Sequence, residues 1–111
     1  MVSLVMYNLS GIQKGIQAGH SVEEYIHRHG KTDLYKEYFK DHKTWIVLDG
    51  GGSREMAAHK TYLEDIGAVF SHFEEPDLNG AISAISYIDD ANENDQRMIG
   101  LSKKFKLAAS G

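Results

Sequence analysis

The chain has 111 residues, of which 41% are hydrophobic and 25% charged, and it contains no cysteine. This length suits the core of one domain, and the lack of cysteine excludes disulfides, thiolate nucleophiles and zinc–thiolate sites. The formal net charge of −4 disfavours the broad basic surface with which proteins hold a tRNA. No apolar run is long enough to cross a bilayer, and the first residues lack a signal-peptide pattern, so we expect a cytoplasmic protein without membrane contact.

The first predicted elements are a buried strand over residues 2–7 and a helix over residues 11–29. Ser10 and Gln13 have the S-x-x-Q spacing of a capping box, which defines the start of the helix. Apolar residues recur in this helix at intervals of three and four, a pattern that predicts one stripe facing a sheet. The stripe comprises Ile12, Ile16, Gly19, Val22 and Ile26.

The other side of this helix carries the first candidate ligand-binding residues. Gln17 and His20 lie one turn apart near the positive end of the helix dipole, where anionic groups are favoured. The same side chains can equally cap and solvate a surface helix. The candidates are Gln13, Lys14, Gln17 and His20.

A glycine triplet follows the second predicted strand, which spans residues 43–49 after a short helix that Thr32 and Asp33 can cap. Three glycines before a helix over residues 53–66 allow close backbone approach, so this turn could cradle a phosphate. An ordinary flexible loop is an equal alternative, because no Walker A lysine follows. The triplet is Gly50, Gly51 and Gly52.

Two more strands, over residues 68–73 and 82–88, flank an acidic turn with the only proline. In this turn Glu75 and Asp77 could bind a cation, accept ligand N–H groups or remain solvated. A linker then leads to a last predicted helix over residues 95–107.

The predicted order of elements is β-α-α-β-α-β-β-α. Because the connections are short, this order predicts one α/β domain over residues 1–111 with a four-stranded mixed sheet and helices on both faces. Residues 1–88 would form its core.

Two segments resemble small phage-encoded members of the type II peptidyl-tRNA hydrolase superfamily. They are GIQKGIQAGHS at residues 11–21 and EEPDLNGAISAI at residues 74–85. The resemblance extends over the chain up to about residue 88. It implies the α/β fold of that superfamily.

The chain departs from this superfamily at the residues that carry its catalysis. A Gly-Lys pair of the hydrolases corresponds here to Ile12 and Gln13, and Lys14 is one residue late. Their aspartate corresponds at best to Glu75. The resemblance therefore implies a binding protein, similar to small phage proteins that act as oligomeric sponges for the cyclic nucleotides of bacterial immune systems such as CBASS.

The leading hypothesis is a non-enzymatic dimer or tetramer that binds a small anionic nucleotide and needs no cofactor. The four helix candidates would contact phosphate or base, the three glycines would offer backbone donors, and Glu75 and Asp77 would accept base or ribose protons. The alternative is a peptidyl-tRNA hydrolase in which Lys14 or His20 activates water and Glu75 orients it. We expect no metal site, because no H-x-x-x-H or H-E-x-x-H pattern occurs.

Overall fold

A computed structural model describes residues 1–41, 43–89 and 105–108. Within these ranges four strands form one mixed sheet that packs with three α-helices, which confirms the predicted α/β domain. No helix in these ranges is long and apolar enough to cross a membrane. In chain order the elements are β1 (Val2–Met6), α1 (Gly11–His29), α2 (Asp33–Asp41), β2 (Ile46–Gly51), α3 (Ser53–Asp65), β3 (Phe70–Glu75), a single-turn 3₁₀ helix (Pro76–Leu78) and β4 (Ala81–Tyr87).

The strand directions bring three strand ends to one edge of the sheet. The order across the sheet is β2-β1-β4-β3, with β1 and β2 parallel and β4 antiparallel to both of its neighbours. β1, β2 and β3 therefore run in the same direction and end together at what we call the C-terminal edge. α1 follows β1 and α3 follows β2, so both of these helices begin near this edge.

α1 and α3 pack on opposite faces of the sheet. Because side chains alternate along a strand, Leu4 of β1 belongs to an apolar cluster with Met56 of α3, whereas Val5 packs with Ala18 of α1 and Ala84. These five residues are all fully buried. Because helices cover both faces of the sheet, the C-terminal edge is where polar side chains can lie together and remain open to a ligand.

α1 has the predicted cap and bounds, but its apolar stripe faces outward. Ser10 Oγ accepts the Gln13 N–H at 3.2 Å, and Gln13 Oε1 accepts the Ser10 N–H at 3.0 Å, as the capping-box spacing predicts. The predicted inward stripe is wrong, because Ile12, Ile16 and Ile26 are 79%, 51% and 44% exposed. Gly19 and Val22, the other members of the stripe, are half-buried.

The buried face of α1 is instead largely polar, and the reason lies in the sheet. Ser3, Ser71 and Ser86 of the sheet are buried beneath the helix. Buried hydroxyls need hydrogen-bond partners, and α1 provides them: Ser21 Oγ lies 2.6 Å from Ser86 Oγ, and Ser71 Oγ donates to Ser21 O at 2.7 Å. The buried residues of α1 are Lys14, Gln17, Ala18, Ser21 and Tyr25.

The segment after β4 differs from its prediction where it is described. Residues 95–104 of the predicted last helix lie outside the described ranges. Residues 105–108 are extended rather than helical: Lys106 O accepts the Asp49 N–H at 2.8 Å, and Ala108 N donates to Val47 O at 3.0 Å. This end of the predicted helix is wrong because its backbone groups pair with the outer edge of β2.

Tyr25 lies in a second apolar cluster, where α1 meets α2. The ring is fully buried against Leu34, Tyr35 and Tyr38, and its hydroxyl has no hydrogen-bond partner in the described part of the chain. Burial raises the pKa of Tyr25 from 10.0 to about 12. A buried hydroxyl without a partner lowers the free energy of unfolding.

We predict that Tyr25→Phe raises the free energy of unfolding by roughly 1 kcal/mol at pH 7, because it removes this unpaired hydroxyl. The gain should widen as the pH rises from about 10 to about 12, where the unfolded tyrosine ionises before the folded one does. Urea unfolding at pH 7 and at pH values between about 10 and about 12 measures the difference in the free energy of unfolding between the two chains. Tyr7→Phe, at an exposed tyrosine, is the control and should change little; a loss of stability in Tyr25→Phe would contradict the prediction.

Candidate functional site

The C-terminal edge joins the first turns of α1 to the end of β3. Gln17 Nε2 donates to Glu75 Oε2 at 2.9 Å, a contact between residues 58 positions apart in the sequence. Lys14 lies one turn before Gln17 on the same buried face, and the two are only 6% and 8% exposed. The structure therefore brings three of the predicted site residues together.

The Gln17 amide is oriented by Ser83, which donates its hydroxyl to Gln17 Oε1. Ser83 reaches this position through a β-bulge: the pairing of β3 with β4 steps from Phe73–Ala84 to Glu74–Ile82, so Ser83 is an extra residue. With the amide oxygen on Ser83, the amide nitrogen must point at Glu75. Sequence reasoning missed Ser83, because strict alternation assigned it to the opposite face and nothing in the sequence marks the bulge.

The Glu75 carboxylate is held by a second hydrogen bond. Its Oε1 accepts the backbone N–H of Asp77 at 3.3 Å and thereby caps the 3₁₀ helix Pro76–Leu78. The Asp77 side chain itself is exposed. Two donors on one carboxylate fix its position, so Glu75 is preorganised as an acceptor.

His20 and Gln13 differ in how they relate to this site. The His20 ring stacks on Phe73, with 4.5 Å between ring centroids, and its Nδ1 lies 3.6 Å from Glu23 Oε1. Its side chain remains 41% exposed, so it is accessible beside β3. Gln13 is exposed and its side-chain oxygen is engaged in the helix cap.

The glycine triplet lies at the other end of the same edge. Glu75 ends β3, whereas Gly50 and Gly51 end β2 and Gly52 follows it. β1 and β4 lie between these two strands, a separation of roughly 14 Å at about 4.8 Å per strand. Gly50 permits close packing of α3, since an added Cβ would lie 2.5 Å from Met56 Sδ. Gly51 has a φ of 92°, which favours glycine.

The backbone donors of the triplet are already engaged by carboxylates. Gly51 N–H donates to Asp49 Oδ1 at 2.9 Å, and Gly52 N–H donates to Glu55 Oε2 at 3.1 Å. A phosphate at this turn would have to displace both acidic groups. The adjoining pocket of about 320 Å³ is lined by Asp49, Gly50, Gly51, Glu55, His59, Phe105 and Lys106.

Neither metal ligation nor sequence similarity assigns a function to these residues. In the ranges that the structure describes, no group of three or more His, Asp or Glu side chains is arranged to hold a metal ion. Comparison of the chain with protein-family models and with curated proteins finds no match. Function must therefore be inferred from the geometry at α1 and β3 and from the resemblance of the two sequence segments.

We predict that Ser83→Ala releases the Gln17 amide, because the amide oxygen loses its donor inside the protein. The free energy of unfolding should fall by roughly 1 to 3 kcal/mol, and the Gln17 side-chain NH₂ resonances should shift toward those of a solvent-exposed glutamine. Two-dimensional ¹H–¹⁵N NMR together with urea unfolding measures both effects.

Ser71→Ala is the matched control, since Ser71 is an equally buried serine on the same face that bonds to a backbone carbonyl instead. It should leave the Gln17 resonances in place. Unchanged Gln17 resonances in Ser83→Ala would show that the bond does not orient the amide.

Proposed function

We propose that the protein binds a small anionic nucleotide without turning it over, at the junction of α1 and β3. The observation that carries the proposal is the Glu75 carboxylate, held by the Gln17 amide at 2.9 Å beside the first turns of a helix. A fixed carboxylate accepts N–H groups of a base or hydroxyls of a ribose. The ligand-binding residues of this proposal are Lys14, Gln17, His20 and Glu75.

The same junction offers favourable electrostatics for a phosphate. The N-terminus of α1 lies at the C-terminal edge, where the helix dipole and the backbone N–H groups of the first turn favour an anion. Lys14, one turn before Gln17, adds a cationic side chain that is only 6% exposed, so its charge would favour a phosphate at this edge from beneath the surface. A ligand with both a phosphate and a base can place the phosphate on this cationic side and the base against the Glu75 carboxylate. An inorganic anion or a simple cation can make only one of these two contacts.

A small ligand agrees better with the charge of the chain than a tRNA does. The net charge of −4 opposes a long run of phosphate contacts, whereas one or two phosphates need only a local cationic group. The resemblance of GIQKGIQAGHS and EEPDLNGAISAI to small phage members of the type II peptidyl-tRNA hydrolase superfamily supports a cyclic nucleotide immune signal as the ligand. In that role the protein would be a sponge of the anti-CBASS kind in the host cytoplasm.

The remaining predicted residues have smaller parts in this proposal. Asp77 lies next to Glu75 and can extend the acceptor side of the site. Gly50, Gly51 and Gly52 lie at the end of the opposite edge strand β2. The N–H groups of Gly51 and Gly52 already donate to carboxylates, so they are poor hydrogen-bond donors for a phosphate. Gln13 supports the start of α1 rather than the ligand.

One observation favours peptidyl-tRNA hydrolysis as a second candidate. Lys14 lies on the same helix face as Gln17, whose amide contacts Glu75, so a base and a carboxylate occupy one junction. In this alternative Lys14 or His20 activates water and Glu75 orients it. The missing Gly-Lys pair at Ile12 and Gln13 and the acidic charge favour the binding protein.

We predict that Gln17→Ala and His20→Ala each weaken nucleotide binding by roughly 1 to 3 kcal/mol, because each removes a polar partner at the site. Isothermal titration of cyclic di-AMP and cyclic GMP–AMP, preceded by mass spectrometry of co-purified small molecules, measures the affinity. His27→Ala is the matched control, since His27 is an exposed histidine on the same helix. It should bind like the unaltered chain.

The same preparations separate binding from catalysis. The nucleotide should be recovered intact after denaturation, and a peptidyl-tRNA incubated with the protein should keep its ester bond. Multiple-turnover cleavage of that ester, abolished by Lys14→Ala, would overturn the proposal and establish the hydrolase. Equal affinities for the Gln17→Ala, His20→Ala and His27→Ala variants would show that the nucleotide binds elsewhere.

A further inference from the structure

The outward side of α1 carries an apolar surface that no element of the described chain covers. Ile12 and Ile16 are 79% and 51% exposed on the first two turns of the helix. Gly15 and Gly19 lie beside them, and a Cβ added to either glycine would meet nothing within 4 Å. These four residues have the i, i+3, i+4, i+7 spacing of a helix-packing seam, and we call them the isoleucine–glycine face.

This face is complementary to itself when two copies meet antiparallel. The isoleucines are four residues apart, and so are the glycines. If a two-fold axis passes between Gly15 and Ile16, Ile12 lies opposite Gly19 of the partner subunit and Ile16 lies opposite Gly15 of the partner subunit. Each isoleucine then enters the gap left by a glycine, and the two-fold axis repeats every contact.

Charge does not oppose this arrangement, although the chain carries a net charge of −4. Between Ile12 and Gly19 the only ionic side chain is Lys14, which is buried against the sheet. The next exposed charge on α1, Glu23, would lie beyond the first residue of the partner subunit's α1 in this register, and therefore not opposite another carboxylate of that helix. Antiparallel helices also place opposite ends of their dipoles side by side.

We infer that a second copy of this chain covers the isoleucine–glycine face and forms a two-fold symmetric dimer through α1. Stable interfaces bury roughly 1,200 to 2,000 Å² in total. Two isoleucines and two glycines on two turns of a helix bury less area than this, so the dimer should be weak and should dissociate on dilution. Gln17 of the candidate site, which contacts Glu75, lies on the buried face of the same helix and outside the interface.

The first test replaces one isoleucine inside the face and one outside it. Sedimentation velocity over a range of concentrations should show the full chain moving from the mass of one 12.4 kDa chain to that of two. Ile16→Glu should raise the Kd of the dimer at least about tenfold, because it places a carboxylate against an apolar partner. Ile26→Glu is the matched control, an exposed isoleucine on the same helix beyond the face, and should leave the Kd unchanged.

The second test fills a glycine gap without disturbing the single chain. Gly19→Leu meets open space in one copy and improves helix propensity, so the melting temperature measured at a concentration where the unaltered chain is monomeric should not fall. The leucine would occupy the space of the partner's Ile12, so the dimer should be lost. A monomeric unaltered chain at every concentration, a dimer that survives both Ile16→Glu and Gly19→Leu, or a dimer that Ile26→Glu disrupts would overturn the inference.

Discussion

The hydrogen bonding of polar side chains between α1 and the sheet is the constraint on which the rest of the structure depends. Ser86 of the sheet contacts both Ser3 and Ser21 through hydroxyl oxygens 2.6 Å apart, and Ser83 holds the Gln17 amide. These groups are buried, so they would cost free energy without partners. An isoleucine stripe could not pair with them. The polar sheet face thus determines which side of α1 is buried.

This orientation of α1 produces together the two features to which we assign a function. Turning Gln17 inward brings its amide to Glu75 and fixes the carboxylate that we assign to the nucleotide. The same rotation exposes Ile12 and Ile16 on the outer side, where they form the surface that we assign to a second copy. The proposed ligand site and the proposed dimer interface therefore lie on different sides of one helix, and a ligand that alters the position of α1 would also alter the interface.

Local sequence signals predicted the helices and strands. Contacts between residues distant in the sequence determine the features that could not be predicted, such as the buried face of α1. The Ser10–Gln13 cap and the succession of strands and helices along the chain up to β4 were readable, because neighbouring residues determine them. Apolar periodicity correctly indicated a helix but not which face is buried, since the serines that decide this come from other strands. The bulge at Ser83 likewise depends on the pairing of β3 with β4. The acidic partners of the glycine triplet are only two and three residues away in the sequence, so local spacing could have indicated them.

The orientation of α1 can be measured directly, because the chain has no cysteine of its own. Single cysteines at Ser21 and Ile26, one fully buried and one 44% exposed, can be labelled with a thiol reagent under native conditions. Ile26→Cys should react at nearly the rate of an unfolded thiol. Ser21→Cys should react many times more slowly, and only on transient opening. Fast labelling at Ser21→Cys with protection at Ile26→Cys would contradict the account, since the isoleucine stripe would then face the sheet.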